Sequence, residues 1–90
     1  MDLLLLIRQD CCLCESLAKR LQSLSLPFAI VVVNVDFHPR LQAIYMHRVP
    51  ILIQRFNNEL GLKDHELPSI SPRLGGINLT MWLKRNILSW

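Results

Sequence analysis

Residues 3–7 are four leucines and an isoleucine in an unbroken run. A strand buried on both faces has this pattern; one with a solvated face alternates. Arg8-Gln9-Asp10 breaks the run, and the apolar period then changes. Cys14, Leu17, Ala18, Leu21 and Leu24 fall at i, i+3, i+4, i+7 and i+10, while Glu15, Ser16, Lys19, Arg20 and Ser23 fill the other face. That spacing predicts an amphipathic helix, closed at or just before Pro27. Residues 28–35 are rich in β-branched side chains and predict a second buried strand. Two strands joined by a helix of this length suggest a right-handed parallel βαβ unit.

Pro39 suits the first turn of a short helix, with His38 or Asp36 near its cap and Leu41, Ile44 and Tyr45 on one face. Pro50 opens a third apolar run, Ile51-Leu52-Ile53. Asn57-Asn58 predicts a hairpin turn, because Asn tolerates positive φ, and residues 59–63 would form the return strand. Residues 64–76 hold two prolines and two glycines and predict a loop. A last helix follows, with Leu79, Trp82, Leu83 and Ile87 inward, Asn78 as its cap and Ile77 stapled against Trp82. Tyr45 is expected to pack under the sheet, and Trp90, at the terminus, to be mobile. The order β-α-β-α-β-β-α implies an α/β fold, a single sheet with helices on its faces.

Ninety residues correspond to one domain, residues 1–90. Hydrophobic residues make up 51% and charged residues 19%, a balance opposite to that of disordered chains. The formal charge of +3 is spread without a like-charge run, and aromatics are 7%. A basic stripe interleaved with aromatics is missing, so nucleic acid is not an expected partner. No segment reaches the roughly 18–20 apolar residues that span a bilayer, so no membrane association is expected. The N-terminus lacks the basic region and small-residue cleavage site of a signal peptide. Three cysteines, all within four positions, do not resemble a secreted disulfide framework. They imply a reducing, cytoplasmic compartment and thiols kept for chemistry.

The chemistry is concentrated in Asp10-Cys11-Cys12-Leu13-Cys14. Cys11 and Cys14 form a C-x-x-C where a strand meets a helix. Residues three apart on one helical turn are neighbours, so their sulfurs can bridge. At a helix N-terminus, free amide groups and the positive end of the dipole favour a thiolate. Such placement lowers a Cys pKa from about 8.5 to about 3.5–7.5. Cys14 begins the apolar stripe and is expected to be the more buried sulfur. An exposed nucleophile with a buried partner suits thiol–disulfide exchange. Arg8 would stabilise the Cys11 thiolate and Asp10 would oppose it. Cys12 is expected to be a spectator or a target of adventitious oxidation. A zinc site would need a fourth ligand besides three crowded cysteines, and His38, His47 and His65 are scattered; no metal is expected. His47 and Arg48 could touch an anionic substrate group, or simply form a solvated turn.

These motifs resemble the thioredoxin-like fold, and within it the small glutaredoxin-like proteins in which a strand runs into C-x-L-C. Residues 3–7 followed by Cys11-Cys12-Leu13-Cys14-Glu15 look like the first strand and active-site helix. Residues 31–36 look like the second strand, and Arg48-Val49-Pro50-Ile51-Leu52 like the family's cis-proline segment. The resemblance is close over residues 3–53 and weaker beyond, where the final helix with Trp82-Leu83 matches. It implies a four-stranded mixed sheet flanked by three helices. It further implies a cis peptide before Pro50 and a Val49 backbone that binds extended substrate beside Cys11. Two departures stand out. Many glutaredoxins carry Pro-Tyr or Pro-Phe between the cysteines, where this chain has Cys-Leu. Glutathione-binding members often follow Gly-Gly with an acidic residue, but Gly75-Gly76-Ile77-Asn78 has none. That weakens the implication of a glutathione site.

The expected function is thiol–disulfide exchange, with Cys11 as nucleophile and Cys14 as resolver. Arg8, Val49 and Pro50 would contact the substrate, a disulfide-containing protein or glutathione. No tightly bound cofactor is needed; glutathione or another reductant would supply electrons, and the protein is expected to be monomeric. Two alternatives belong to other classes. One is a redox-inactive thioredoxin-fold binding module presenting the 64–76 loop, with Pro68 and Pro72. The other is an iron–sulfur cluster carrier ligating iron through Cys11, glutathione and a second subunit.

Overall fold

In a computed structural model that describes residues 1–71 and 73–88, the chain forms one four-stranded sheet between helices. Strands β1 (Asp2–Ile7), β2 (Ala29–Asn34), β3 (Ile51–Asn58) and β4 (Gly61–Glu66) lie in the order β2-β1-β3-β4. β1 pairs parallel with β2 and antiparallel with β3; β3 pairs antiparallel with β4. The helices are α1 (Cys12–Gln22), α2 (Pro39–Tyr45) and α3 (Gly76–Asn86), with a 3₁₀ turn at Val35–Phe37 before α2. This is a mixed α/β, thioredoxin-like fold. Among the described residues no helix is long and apolar enough to cross a membrane. Pro72 and Trp90 lie outside the described residues.

The central position of β1 explains its unbroken leucines. Leu3 and Leu5 point into a core with Leu17 and Leu21 of α1 and Leu79 and Leu83 of α3. Leu4 and Leu6 point the other way, against Ile51, Ile53 and Val35, with Leu41 and Tyr45 of α2 alongside. Side chains alternate across a strand, so burial on both faces requires apolar residues at every position.

Several expectations are corrected. β2 is an edge strand, with Val31 and Val32 both exposed. A run of β-branched residues fits an edge as well as a centre, because pleated geometry, not burial, selects them. Val35, expected within that strand, instead starts the 3₁₀ turn, where it is fully buried. The hairpin turn is Glu59-Leu60, not Asn57-Asn58. β3 continues through Asn58, which pairs with Gly61, so the return strand runs three residues further than the expected 59–63. Gly61 has φ +106, a conformation that a residue without Cβ adopts most easily.

The loop is correspondingly shorter, residues 67–75, and among its described residues Pro68, Ser69, Ser71 and Arg73 are exposed while its leucines and isoleucine are anchored. Leu67 is buried, Ile70 and Leu74 pack on the core, and Arg20 of α1 donates to the Leu74 carbonyl. α3 starts earlier than Asn78, at Gly76 with Gly75 as its N-cap, and no side chain caps it. Ile77 is exposed, so the staple against Trp82 does not form. Ile44 of α2 is exposed too, leaving Leu41 and Tyr45 as that helix's inward side chains. His38 occupies the N-cap position of α2 without a side-chain hydrogen bond, and the Asp36 carboxylate is used elsewhere.

Candidate functional site

The antiparallel register brings the chemistry together. Leu6 pairs with Ile51, so the loop leaving β1 and the segment entering β3 lie at the same end of the sheet. The first carries Arg8 to Cys11; the second carries Val49 and Pro50. β2 runs parallel to β1, and Ile7 pairs with Asn34. The 3₁₀ turn holding Asp36 therefore reaches that end as well.

Asp10 sets the entry into α1. Its φ of +58 lies in the left-handed region that Asp tolerates better than most residues, and the chain turns there from strand to helix. Cys11 follows in extended conformation as the N-cap of α1, and its Sγ accepts the Cys14 backbone N–H at 3.2 Å. A Ser or Asp cap satisfies the same orphan amide through oxygen. Sulfur accepts weakly as a thiol; a thiolate in this place gains both the amide and the helix dipole. Cys11 and Cys14 are joined by a disulfide, with Cα atoms 5.2 Å apart, inside the usual 4.4–6.8 Å window. The two sulfurs differ in access, since Cys11 is half-buried and Cys14 has no solvent exposure at all. Cys12, the first residue of α1, is a free and exposed thiol, and Leu13 between the pair is exposed as well. Among the described residues, no group of three or more His, Cys, Asp or Glu side chains is arranged to hold a metal ion.

Arg8 is engaged more fully than the sequence suggests. Its Nε donates to Asp36 Oδ1 at 3.1 Å, and its Nη1 donates to the Met46 carbonyl at 3.3 Å. Met46 lies in the turn between α2 and Pro50. Asp36 in turn accepts the Gln9 backbone N–H on Oδ2 at 3.1 Å and Gln42 Nε2 on Oδ1 at 3.2 Å. Its own N–H donates to Asn34 Oδ1 at 2.9 Å. The Gln9 amide bond, then the Arg8 and Gln42 contacts, hold the Asp36 carboxyl below the ordinary carboxylate range against partial desolvation. Residue-by-residue reading missed this carboxylate's role. The local signal was Asn34-x-Asp36, a side chain bonding the backbone two residues on. The partner Arg8 is 28 positions away and nothing local pairs them.

The Val49–Pro50 peptide bond is cis, and Val49 is half-buried against the smaller core cluster. His47 is exposed. Arg48 lies over the Tyr45 ring, 5.3 Å from its centroid, and pairs with Glu66 at the end of β4. That pair fastens the turn before Pro50 to the far edge of the sheet.

A cysteine pair at bonding distance, one sulfur accessible at a helix start and the other covered, fits a thiol redox role. Comparison with known proteins agrees. No curated protein and no solved structure matches the chain. A family model described as a glutaredoxin-like domain (DUF836) matches residues 2–84. That match spans nearly the whole chain, and the chain belongs to this glutaredoxin-like family.

Proposed function

We propose that the protein is a glutaredoxin-like thiol–disulfide oxidoreductase. The observation that carries this reading is the asymmetry of the pair: Cys11 half-buried at the N-cap with its sulfur on an amide, Cys14 wholly buried behind it. In the reduced protein the Cys11 thiolate attacks one sulfur of a substrate disulfide. The substrate S–S bond breaks, its other sulfur leaves as a thiolate, and a mixed disulfide forms on Cys11. Cys14 then loses its proton and attacks Cys11 Sγ. The substrate's second thiolate leaves, and the Cys11–Cys14 disulfide stores the two electrons' worth of oxidation. Two thiols of a reductant, glutathione or a dithiol protein, return the pair to the reduced state and become a disulfide.

The helix-end amide and dipole stabilise the thiolate as nucleophile and as leaving group, which serves both directions of exchange. The backbone at Val49, at the same sheet end, would receive an extended substrate segment, with Pro50 fixing the direction in which the chain enters β3. Arg8 would act at the site mainly through Asp36 and Met46, its bonded partners. The substrate would be a disulfide-containing protein or glutathione disulfide, met by a monomer in the reducing cytoplasm without a resident cofactor.

The test is turnover of a peptide disulfide coupled to a thiol reductant. Cys11→Ser is expected to abolish it, and Cys14→Ser to accumulate mixed disulfide visible by mass spectrometry. Full activity in Cys11→Ser would refute the assignment.

A further inference from the structure

We infer that Asp36 is a positioning residue for the exchange site, tying the loop that carries Cys11 to the segment that carries Val49 through Arg8 and Gln9. The inference rests on the proposed function for its chemical meaning, and on hydrogen bonds for its geometry. The cysteine loop is held from one side: Gln9 N–H donates to Asp36 Oδ2 at 3.1 Å, and Arg8 Nε donates to Oδ1 at 3.1 Å. The proline segment is held through the same arginine, whose Nη1 donates to the Met46 carbonyl at 3.3 Å. Arg8, itself on the cysteine loop, therefore has one nitrogen on the Asp36 carboxylate and another on the proline segment, and the carboxylate fixes its plane. Without that carboxylate a guanidinium on a flexible stem keeps its charge but loses its direction.

Asp36 is itself braced. Its backbone N–H is on Asn34 Oδ1, and Gln42 of α2 donates to Oδ1. The brace belongs to the β2–α2 connection, an element that carries none of the proposed reacting groups. Its Asp36 side chain is only partly buried, with 22% exposure, so the pair lies in a setting where a bare ion pair is worth little. What the carboxylate supplies is geometry: two acceptor oxygens shared among a backbone amide, a guanidinium and a side-chain amide. The same contacts give Arg8 a structural role beside the substrate contact expected of it. Two of its nitrogens already have acceptors, and its charge is matched by Asp36.

The consequence is a specificity effect. A small aromatic disulfide needs only the Cys11 sulfur. An extended peptide disulfide needs Cys11 and the Val49 backbone held at a fixed separation, and a misplacement of about an ångström across a site costs up to a hundredfold in rate. Loosening Asp36 should therefore penalise the peptide far more than the small disulfide.

The experiment uses the full chain, with Asp36→Asn, Arg8→Gln and the double variant. In Asp36→Asn the ratio of peptide-disulfide to aromatic-disulfide kcat/KM is expected to fall about tenfold, carried by kcat. Arg8→Gln is expected to do the same, and the double variant to be no worse than either single one, because both act through one network. Hydrogen–deuterium exchange is expected to quicken at residues 8–11 and 46–49 together and to stay unchanged at Leu83. Equal losses on both substrates, additive single effects, or exchange that rises across the whole chain would overturn the inference. A wild-type protein that turns over neither disulfide would instead refute the proposed function. The exchange pattern alone would then decide whether Asp36 couples the two segments.

Discussion

Among the described residues Gln54 is the fully buried polar side chain of the core, and replacing it with leucine gives a sharp test of how the segment after α3 is held. Its Oε1 accepts the Leu88 N–H at 2.8 Å and its Nε2 donates to the Leu88 carbonyl at 2.6 Å. One side chain of β3 thus completes the backbone hydrogen bonding of the chain just past α3. Gln54→Leu keeps the volume close, so no large cavity opens. What is lost is the two hydrogen bonds to Leu88, each worth about 0.5–1.5 kcal/mol net, together with a weak one from Nε2 to Met1 Sδ, and two backbone groups are left to find water. The expected loss is about 2 kcal/mol, reduced if the end of the chain swings out to solvent and increased if it stays packed. For a chain of this size that corresponds to a fall in Tm of about 8–16 °C. Urea denaturation measures it directly: the midpoint should fall while the slope holds, since the surface exposed on unfolding barely changes. Hydrogen exchange at Leu88 should approach that of a free terminus, while Leu83 follows global stability. A Gln54→Leu protein as stable as the wild type would refute the reasoning. It would mean that apolar burial at this site outweighs the paired bonds to Leu88.

Gly61→Ala should destabilise by about 1–2 kcal/mol through backbone conformation alone. The residue sits at φ +106 and a Cβ there would meet no atom within 4 Å. An unchanged urea midpoint would show that the hairpin turn does not need this conformation. The Arg55–Asp64 pair gives a pH signature. Hydrogen bonds from Arg55 hold the Asp64 carboxyl below its ordinary pKa, against some desolvation. A depressed folded-state pKa stabilises above the unfolded value of about 3.9 and is lost as pH falls through the folded one. Both side chains are more than a third exposed, at 38% and 43%, so screening limits the pair to about 0.2–1 kcal/mol. Asp64→Asn should therefore be slightly less stable than wild type at pH 7 and indistinguishable from it at pH 2. A gap that persisted at pH 2 would point to packing instead of charge.

The parts of this fold that were legible in the sequence are those encoded by local period. The continuous leucines of β1 mark a central strand, the three-four spacing from Cys14 to Leu21 marks α1, and C-x-x-C at their junction marks the site. What was not legible depends on partners distant along the chain. Residues 29–34 have the composition of an interior strand, yet neighbours on one side alone make β2 an edge. Gln54 continues an apolar run and reads as its polar end, because its bonded partner is 34 positions away. Asp36 looked like a helix cap for the same reason, since the competing donors Arg8 and Gln9 come from another strand's end. The misplaced hairpin turn has a different cause. Asn-Asn tolerates a turn, but glycine after Glu59-Leu60 permits φ +106, and the more permissive residue fixed the register.

The sheet order also determines when the site can come into being. β1 meets β2 at a separation of 27 positions but meets β3 only across 45 to 53 positions, while β3 and β4 close as a local hairpin. The β1–β3 seam is thus the long-range joint of the chain, and lengthening a loop from about 27 to about 50 residues adds only about 0.6 kcal/mol of closure entropy. The entropic toll is small, but the topology is strict. Cys11 follows β1 and Val49 precedes β3, so the two segments share one end of the sheet only once both strands are paired. A chain emerging during synthesis presents its three thiols well before the proline segment that ends up at the same end of the sheet exists. Until the seam closes, the cysteines at the start of α1 lack the proline segment that β3 brings to their end of the sheet.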